Sequence, residues 1–223
     1  MTNYIVATIK PWNINAFRQR SDEFQEEWHL VESPESLNKL LQAVHPSYIF
    51  FPHWSWFVPE SITEQYECVC FHMTDVPYGR GGSPLQNLIL HGHKDTKLTA
   101  LRMVNELDAG PVYGKVDLSL SGTAQEIYER AAYRIYDLIR YILEKEPKPI
   151  PQKGTPTVFE RRKADQSILP ESGEFDHLFD YVRMLDAETY PKAYIDYGEF
   201  RIEFSKARKI KNGLQTEVII RKR

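Results

Sequence analysis

Cysteine is almost absent from this chain: 223 residues hold two, Cys68 and Cys70, two apart in an apolar run. A strand would send both thiols to the same face, where they form no easy bridge, so neither a disulfide framework nor a zinc site is expected. Long hydrophobic runs are missing too. No stretch approaches the roughly 18 to 20 apolar residues that cross a bilayer, and the opening MTNYIVATIKPWN lacks the basic flank and cleavage site of a signal peptide. No membrane partner and a cytoplasmic location are therefore expected. Nor is there an excess of one charge: the net charge is -3, with both signs interspersed. Without a broad positive field, no nucleic-acid partner is expected. The basic cluster Arg208, Lys209, Lys211, Arg221, Lys222 and Arg223 reads as a solvated terminal strand with a frayed tail, although it could hold a phosphate.

Missing motifs narrow the chemistry. There is no G-x-S-x-G elbow, P-loop or HExxH, so serine acylation, phosphoryl transfer and zinc hydrolysis lack their parts. His91 and His93, in HGHKD, have no nearby third ligand and read as surface residues, so no metal is expected.

What is present is an α/β pattern. A hydrophobic fraction of 42% suffices for one large domain or a domain plus a small appendage. Strand-like runs at Tyr4 to Ile9, Trp28 to Val31, Tyr48 to Phe51, Tyr66 to Phe71, Lys97 to Val104 and Pro111 to Leu118 alternate with helix-like segments in the first half, as in parallel sheets built from crossover units. Ser83 is expected to cap a helix with Pro84 at its first position. A long helix from Thr123 or Ala124 to near Lys145 carries the stripe Ile127, Ala131, Ile135, Leu138 and Ile142, which has the spacing of a core face. The proline-rich EKEPKPIPQKGTPT, Glu144 to Thr157, cannot continue that helix. The chain therefore divides into a domain over 1-147, a linker over 148-157 and a small α+β or barrel-like domain over 158-223.

The densest signal is CVCFHMTDVPYGRGGSPLQ, Cys68 to Gln86, where an apolar strand delivers His72 into a turn rich in glycine and proline. Ligands in open α/β sheets bind outside the carboxyl ends of strands. A second run, VNELDAGPVY, places Asp108 in another tight turn after another strand. A carboxylate beside an imidazole orients it and favours its charged form, and such a pair can handle protons and polarise a carbonyl. On spacing alone, a satisfied strand-end histidine and a turn aspartate remain an equal reading.

The segment C-x-H-M-T-D-V-P-Y-G-R-G followed by L-D-A-G resembles the 10-formyltetrahydrofolate-dependent formyltransferases, whose usual motif is N-x-H-x-S-L-L-P-x-x-R-G with a later D-T-G or D-A-G turn. His72, Pro77, Arg80, Gly81 and Asp108 match it, and FERRKADQS resembles the R-R-x-x-x-x-S motif that opens the second domain of several sugar formyltransferases. The resemblance implies a Rossmann-like, mostly parallel sheet and 10-formyltetrahydrofolate as formyl donor. It further implies an oxyanion-stabilising role for His72, and for Asp108 the orienting of His72 and of a water that accepts the amine proton. It places the loop that carries Phe51, Pro52, Trp54 and Trp56 at the folate pocket, with Leu107 expected beside it. Asp75, Tyr78, Arg80 and Gly81 are further candidates to meet the substrate, a structural arginine with a turn aspartate being the equal alternative. Cys70 departs from the pattern: it stands where the family has asparagine, and a thiol is a poor substitute for an amide donor. His53 is the expected replacement, with a rim histidine over Trp54 and Trp56 as the alternative. Tyr190, Tyr194, Tyr197 and Arg201 could stack on a base or simply pack.

Ile9-Lys10-Pro11-Trp12-Asn13 after the first strand lacks the glycine-bearing loop of the glycinamide ribonucleotide enzymes, and the acidic balance does not favour tRNA. The P-W-N after the first strand, the short second domain and the R-R-x-x-x-x-S motif resemble enzymes that formylate the amine of a nucleotide-linked sugar, so that acceptor is expected, and a homodimer is admitted. A catalytically weak folate-binding homologue, or an enzyme acting on another small amine, remains the alternative.

Overall fold

The computed structural model describes residues 2-223. In chain order the elements are β1 (Asn3–Ala7), α1 (Pro11–Arg20), β2 (Glu27–Val31), α2 (Pro34–Leu41), β3 (Tyr48–Phe51), α3 (Glu60–Gln65), β4 (Glu67–His72), β5 (Arg80–Gly81), α4 (Pro84–Leu90) and β6 (Asp95–Arg102). They continue with β7 (Val112–Ser119), α5 (Ala124–Lys145), β8 (Val158–Phe159), α6 (Phe175–Arg183), β9 (Ala193–Tyr197), β10 (Phe200–Ile210) and β11 (Gly213–Lys222). No helix among the described residues is long and apolar enough to cross a membrane.

Six strands form one sheet in the order β2-β1-β3-β4-β6-β7. β1 pairs in parallel with β2 on one side and β3 on the other, and β3 pairs in parallel with β4. The order reverses at β1, so the crevice favoured by ligands opens beyond the carboxyl ends of β1 and β3, beside β4. The sheet is mixed, because β6 runs antiparallel to β4 and sets His72 opposite Thr99. Ile5, Ala7, Ile49, Phe51 and Cys68 bury one face of the sheet in a common cluster, against which Cys70, Trp54 and Met103 pack.

Local rules account for several element ends. Ser33 caps α2 by accepting the Ser36 N–H at 3.1 Å, while the Ser36 hydroxyl accepts the Ser33 N–H, also at 3.1 Å. The α5 stripe of Ile127, Ala131, Ile135, Leu138 and Ile142 is buried throughout. Ser83 behaves otherwise than expected: it lies in the left-handed region at φ 50 and makes no side-chain cap. Its hydroxyl instead accepts the Arg162 N–H at 3.0 Å, which satisfies the oxygen away from the helix.

The chain separates into two compact units. One holds residues up to 81, 97-118 and 129-158, and the other holds 82-96, 119-128 and 159-223. The segment expected as a linker, 148-157, thus belongs to the first unit. Ile150 exchanges backbone hydrogen bonds with Val112 at 2.7 and 2.9 Å, and Thr157 donates to the Pro77 carbonyl and accepts from the Arg80 N–H. Prolines stopped the helix, yet the extended backbone beyond them still finds partners. In the second unit β11, β10 and β9 make an open antiparallel sheet, with α6 packed on it.

Candidate active site

His72 closes β4 with its ring buried. Its Nε2 donates to the Gly79 carbonyl at 2.7 Å. Gly79 turns at φ 73, a conformation that glycine adopts without steric cost, and this folds its carbonyl back onto the ring. The Thr74 hydroxyl donates to the same carbonyl at 3.3 Å. Nδ1 faces the other way and lies 3.5 Å from Asp108 Oδ2. That is too long for a good hydrogen bond, so Nδ1 is the ring atom available to a reacting group.

Asp108 is held more tightly than its turn position suggests. It sits in the left-handed region at φ 53, and its Oδ2 accepts the Gly81 N–H at 2.9 Å. Two residues on, a Cβ at Gly110 would stand 1.7 Å from the Arg102 carbonyl oxygen, so only glycine permits this approach. Gln152 donates from Nε2 to the carbonyls of Asp108 and Gly110, each at 2.8 Å. Its Oε1 accepts from Arg80 Nε at 3.1 Å and from the second terminal nitrogen, Nη2, at 2.9 Å. The Arg80 Nη1 reaches Glu106 at 3.0 Å. Arg80 and Gly81, placed at the substrate from the motif, therefore meet the turn that carries Asp108. Sequence reading missed Gln152, because the prolines around it gave no helical or strand period by which to place it.

Cys70 lies two residues before His72 on β4. Burial first, and the nearby Asp108 carboxylate second, push its thiol well above the ordinary range. A thiol this hard to ionise supplies neither a thiolate nucleophile nor an amide-like donor. His53 lies past the end of β3 at φ 56, and its ring meets Trp12 edge-on with centroids 5.5 Å apart. The Asn13 amide donates to the Pro52 carbonyl at 3.4 Å, which ties the loops after β1 and β3 together at the reversal of strand order.

The surroundings suit a flat, partly apolar donor such as a folate. Trp54 packs edge-on against Phe51 at 5.8 Å and Trp56 at 4.9 Å. Phe57 is 79% exposed and Leu107, beside Asp108, is 70% exposed. The Asn105 amide donates to Glu60 at 2.5 Å, joining the loop that bears Leu107 and Asp108 to the start of α3, just beyond the tryptophans. Apolar side chains left uncovered on two joined loops beside a buried polar pair are the usual lining of a small-molecule site. Asp75 is engaged by Lys115 at 2.5 Å, and Lys115 also reaches the Val76 carbonyl at 2.6 Å. The Tyr78 N–H donates to the Asp75 carbonyl at 3.2 Å.

In the second unit, Arg201 stacks over Tyr194 at 3.7 Å while pairing with Asp196, and Tyr190 stacks on Tyr128. Tyr197 stays exposed. Arg201, Lys206, Arg208, Lys209, Lys211, Arg221, Lys222 and Arg223 outnumber Glu199, Glu203 and Glu217 along β10 and β11.

Comparison with known proteins supports a formyltransferase and corrects the expected acceptor. The family model described as "Methionyl-tRNA formyltransferase, C-terminal domain" matches residues 164-221. The methionyl-tRNA formyltransferase of Bacillus pumilus is 28% identical over 221 residues, which cover 95% of this chain and 68% of that protein. The Malacoplasma penetrans enzyme of the same name is 29% identical, and the match spans half its length. Among solved structures, a methionyl-tRNA formyltransferase from Clostridium thermocellum superposes with a TM-score of 0.94 at 43% identity, with both chains fully covered. A sugar N-formyltransferase from a Shewanella species covers 95% of this chain, but at 16% identity and a TM-score of 0.68 it shares the fold alone. The expectations of an amino-sugar acceptor and of no nucleic-acid partner are overturned by these likenesses. Net charge misled because it averages the whole chain, and the basic cluster at the carboxyl end, which reads as a solvated tail, carries less weight in that average than its concentration warrants.

Proposed function

Because the chain belongs to the methionyl-tRNA formyltransferase family, we propose that it transfers the formyl group of 10-formyltetrahydrofolate to the α-amine of methionyl-tRNA. The observation that carries this reading is the 43% identity over the full length of both chains, together with a buried His72 turned towards Asp108 at a strand end. Folate supplies an activated formyl carbon on its N10 nitrogen. With Nε2 donating to Gly79, His72 donates from Nδ1 as an imidazolium with a proton on both nitrogens, and that second N–H meets the formyl oxygen as the amine attacks and negative charge gathers there. Asp108, which only accepts when ionised, takes the proton released by the amine, directly or through a water; as the tetrahedral intermediate collapses, the formyl C–N10 bond breaks, that proton passes on to N10, and tetrahydrofolate leaves. Gly79 holds the ring so that Nδ1 keeps its aim, and the Gly81 N–H leaves one Asp108 oxygen for the proton. Trp54, Trp56 and Leu107 flank the folate and keep bulk water from the reacting carbon. The basic excess of β10 and β11 supports an RNA-borne acceptor through phosphate contacts.

Cys70 supports a second reading, a folate-binding homologue with little turnover, because it cannot replace the amide that the family places there. Labelled formyl transfer from 10-formyltetrahydrofolate to methionyl-tRNA separates the two readings, with a nucleotide-linked amino sugar as the competing acceptor. Formylated methionyl-tRNA is expected. Folate binding without transfer to any amine would favour the second reading, and release of formate alone would point to a hydrolase.

A further inference from the structure

We infer that Gln152 is a positioning residue for Asp108, acting as a two-sided bracket between Arg80 and the turn that carries the carboxylate. The inference rests on the reading of the His72 and Asp108 site given above. A primary amide has two donor hydrogens and one oxygen with two acceptor sites. All four are used here: both hydrogens go to main-chain carbonyls, those of Asp108 and Gly110, and the oxygen takes two nitrogens of the Arg80 guanidinium. The orientation of the amide is fixed by its partners, since carbonyls need donors and a guanidinium needs an acceptor.

The bracket grips a strained point. Asp108 is a non-glycine residue at φ 53, a conformation that persists only where its surroundings over-determine it. The Gly81 N–H fixes the side chain of Asp108, whereas Gln152 fixes the main chain on either side of Ala109. No other residue type serves both partners from this position. Asparagine is one methylene short, glutamate would turn oxygens towards two carbonyl oxygens, and lysine or arginine would offer Arg80 no acceptor. Arg80, in turn, is largely buried along its side chain and held by Glu106 at its far nitrogen. The 3.5 Å separation of His72 from Asp108 therefore depends on a side chain that never faces the ring. A displacement of about 1 Å at such a pair costs on the order of 100-fold in rate.

The test uses the full chain. Gln152→Glu keeps an acceptor for Arg80 and removes both donors to the turn. Its kcat is expected to fall about 10- to 100-fold and the KM for 10-formyltetrahydrofolate to rise by much less, because of the folate lining only Leu107 shares the bracketed turn, while Trp54 and Trp56 lie on the loop after β3. In an Asp108→Asn background the same substitution should lower kcat less than about twofold further, since a residue acting through Asp108 has nothing left to act on. Gln152→Met, which buries no charge, should reproduce the loss and keeps the test open if the glutamate variant unfolds. A Gln152→Glu enzyme with parental kcat, or a loss that multiplies fully with Asp108→Asn, overturns the inference. If Asp108→Asn itself turns over like the parent, the reading of the site fails, and the role of Gln152 with it. If Asp108→Asn collapses while both Gln152 variants work normally, only the bracket is wrong.

Discussion

Asp108 Oδ2 is shared between His72 Nδ1 at 3.5 Å and the Gly81 N–H at 2.9 Å. One carboxylate oxygen thereby links the end of β4 to the turn before β7, and the second oxygen stays open to a proton. The two parts of the formyltransferase motif thus meet at a single atom, although about three dozen residues separate His72 from Asp108 along the chain.

His72→Asn and Asp108→Asn are each expected to lower kcat by about 100- to 10,000-fold, the range for loss of a general acid-base group or an oxyanion donor. Asp108→Asn keeps the side-chain shape, so its thermal unfolding should change little, whereas His72→Asn loses ring volume and the bond to Gly79 and should be destabilised by about 1–3 kcal/mol. Rates of tetrahydrofolate release measured alongside unfolding midpoints check this. A parental rate from either variant would remove that residue from the chemistry.

Cys70→Asn should raise turnover. The thiol is held neutral by burial and by Asp108 and donates weakly, whereas an amide aimed at the formyl oxygen is worth on the order of 100-fold in kcat at such sites. The larger side chain must fit against the core cluster that includes Phe51 and Cys68, so a gain of about tenfold is expected. Single-turnover transfer rates read it out. An unchanged rate would mean that another donor, His53 being the candidate, already serves that oxygen.

Gly110→Ala should cost about 3 kcal/mol or prevent folding. The added methyl would sit 1.7 Å from the Arg102 carbonyl, which is backbone of β6 and has little room to move. Urea unfolding measures the loss. A variant with parental stability would show that the 103-111 turn relaxes freely, and Asp108 would then be less firmly placed than its contacts imply.

His72, Pro77, Arg80, Gly81 and Asp108 were legible because each carries a chemical or conformational type that few other residues share. The parallel arrangement of β1, β3 and β4 was legible for a similar reason, since apolar strands separated by helix-length segments have few ways to pair. Gln152 was not. Its role arises from a backbone path fixed by Ile150 pairing with Val112, and non-local pairing leaves no period in a proline-rich segment. The acceptor was misread because the basic cluster near the carboxyl end reads in sequence as a solvated tail, and because the short second domain and its R-R-x-x-x-x-S motif resemble the sugar enzymes. Ser83 was misread because its backbone is left-handed and its hydroxyl accepts the Arg162 N–H rather than a helix N–H, which overrode a sound local cap signal.

Stability should decline above about pH 8.5 with a component due to Cys68. Burial, then the neighbouring Glu67, push this thiol up to about 12, against about 8.5 in an unfolded chain. The folded state thus favours the protonated form more than the unfolded state does. Its contribution is complete below the unfolded value and is lost as pH rises towards 12. At pH 10 the loss from this group is about 2 kcal/mol, at about 1.4 kcal/mol per pH unit. Cys68→Val removes the titration while keeping an apolar side chain of similar size, so its stability should fall less steeply between pH 8.5 and 10. Parallel slopes for the two proteins would contradict the assignment.

Replacing Arg221, Lys222 and Arg223 by alanine should weaken binding of methionyl-tRNA while leaving kcat at saturating acceptor near its parental value. These side chains lie on β11 and just beyond it, remote in sequence from His72 and Asp108. Their contribution is electrostatic: each phosphate neutralised releases a counterion, so binding weakens steeply with salt. Removing one phosphate-neutralising side chain makes that dependence shallower by somewhat less than one unit of log-log slope. Affinity measured at several salt concentrations for parent and variant distinguishes this from simple misfolding, which would lower the amount of competent protein without changing the slope. An unaltered slope would place the RNA on another surface. A lower kcat with parental affinity would instead mean that the tail acts after binding, by setting the acceptor amine in line with the formyl carbon.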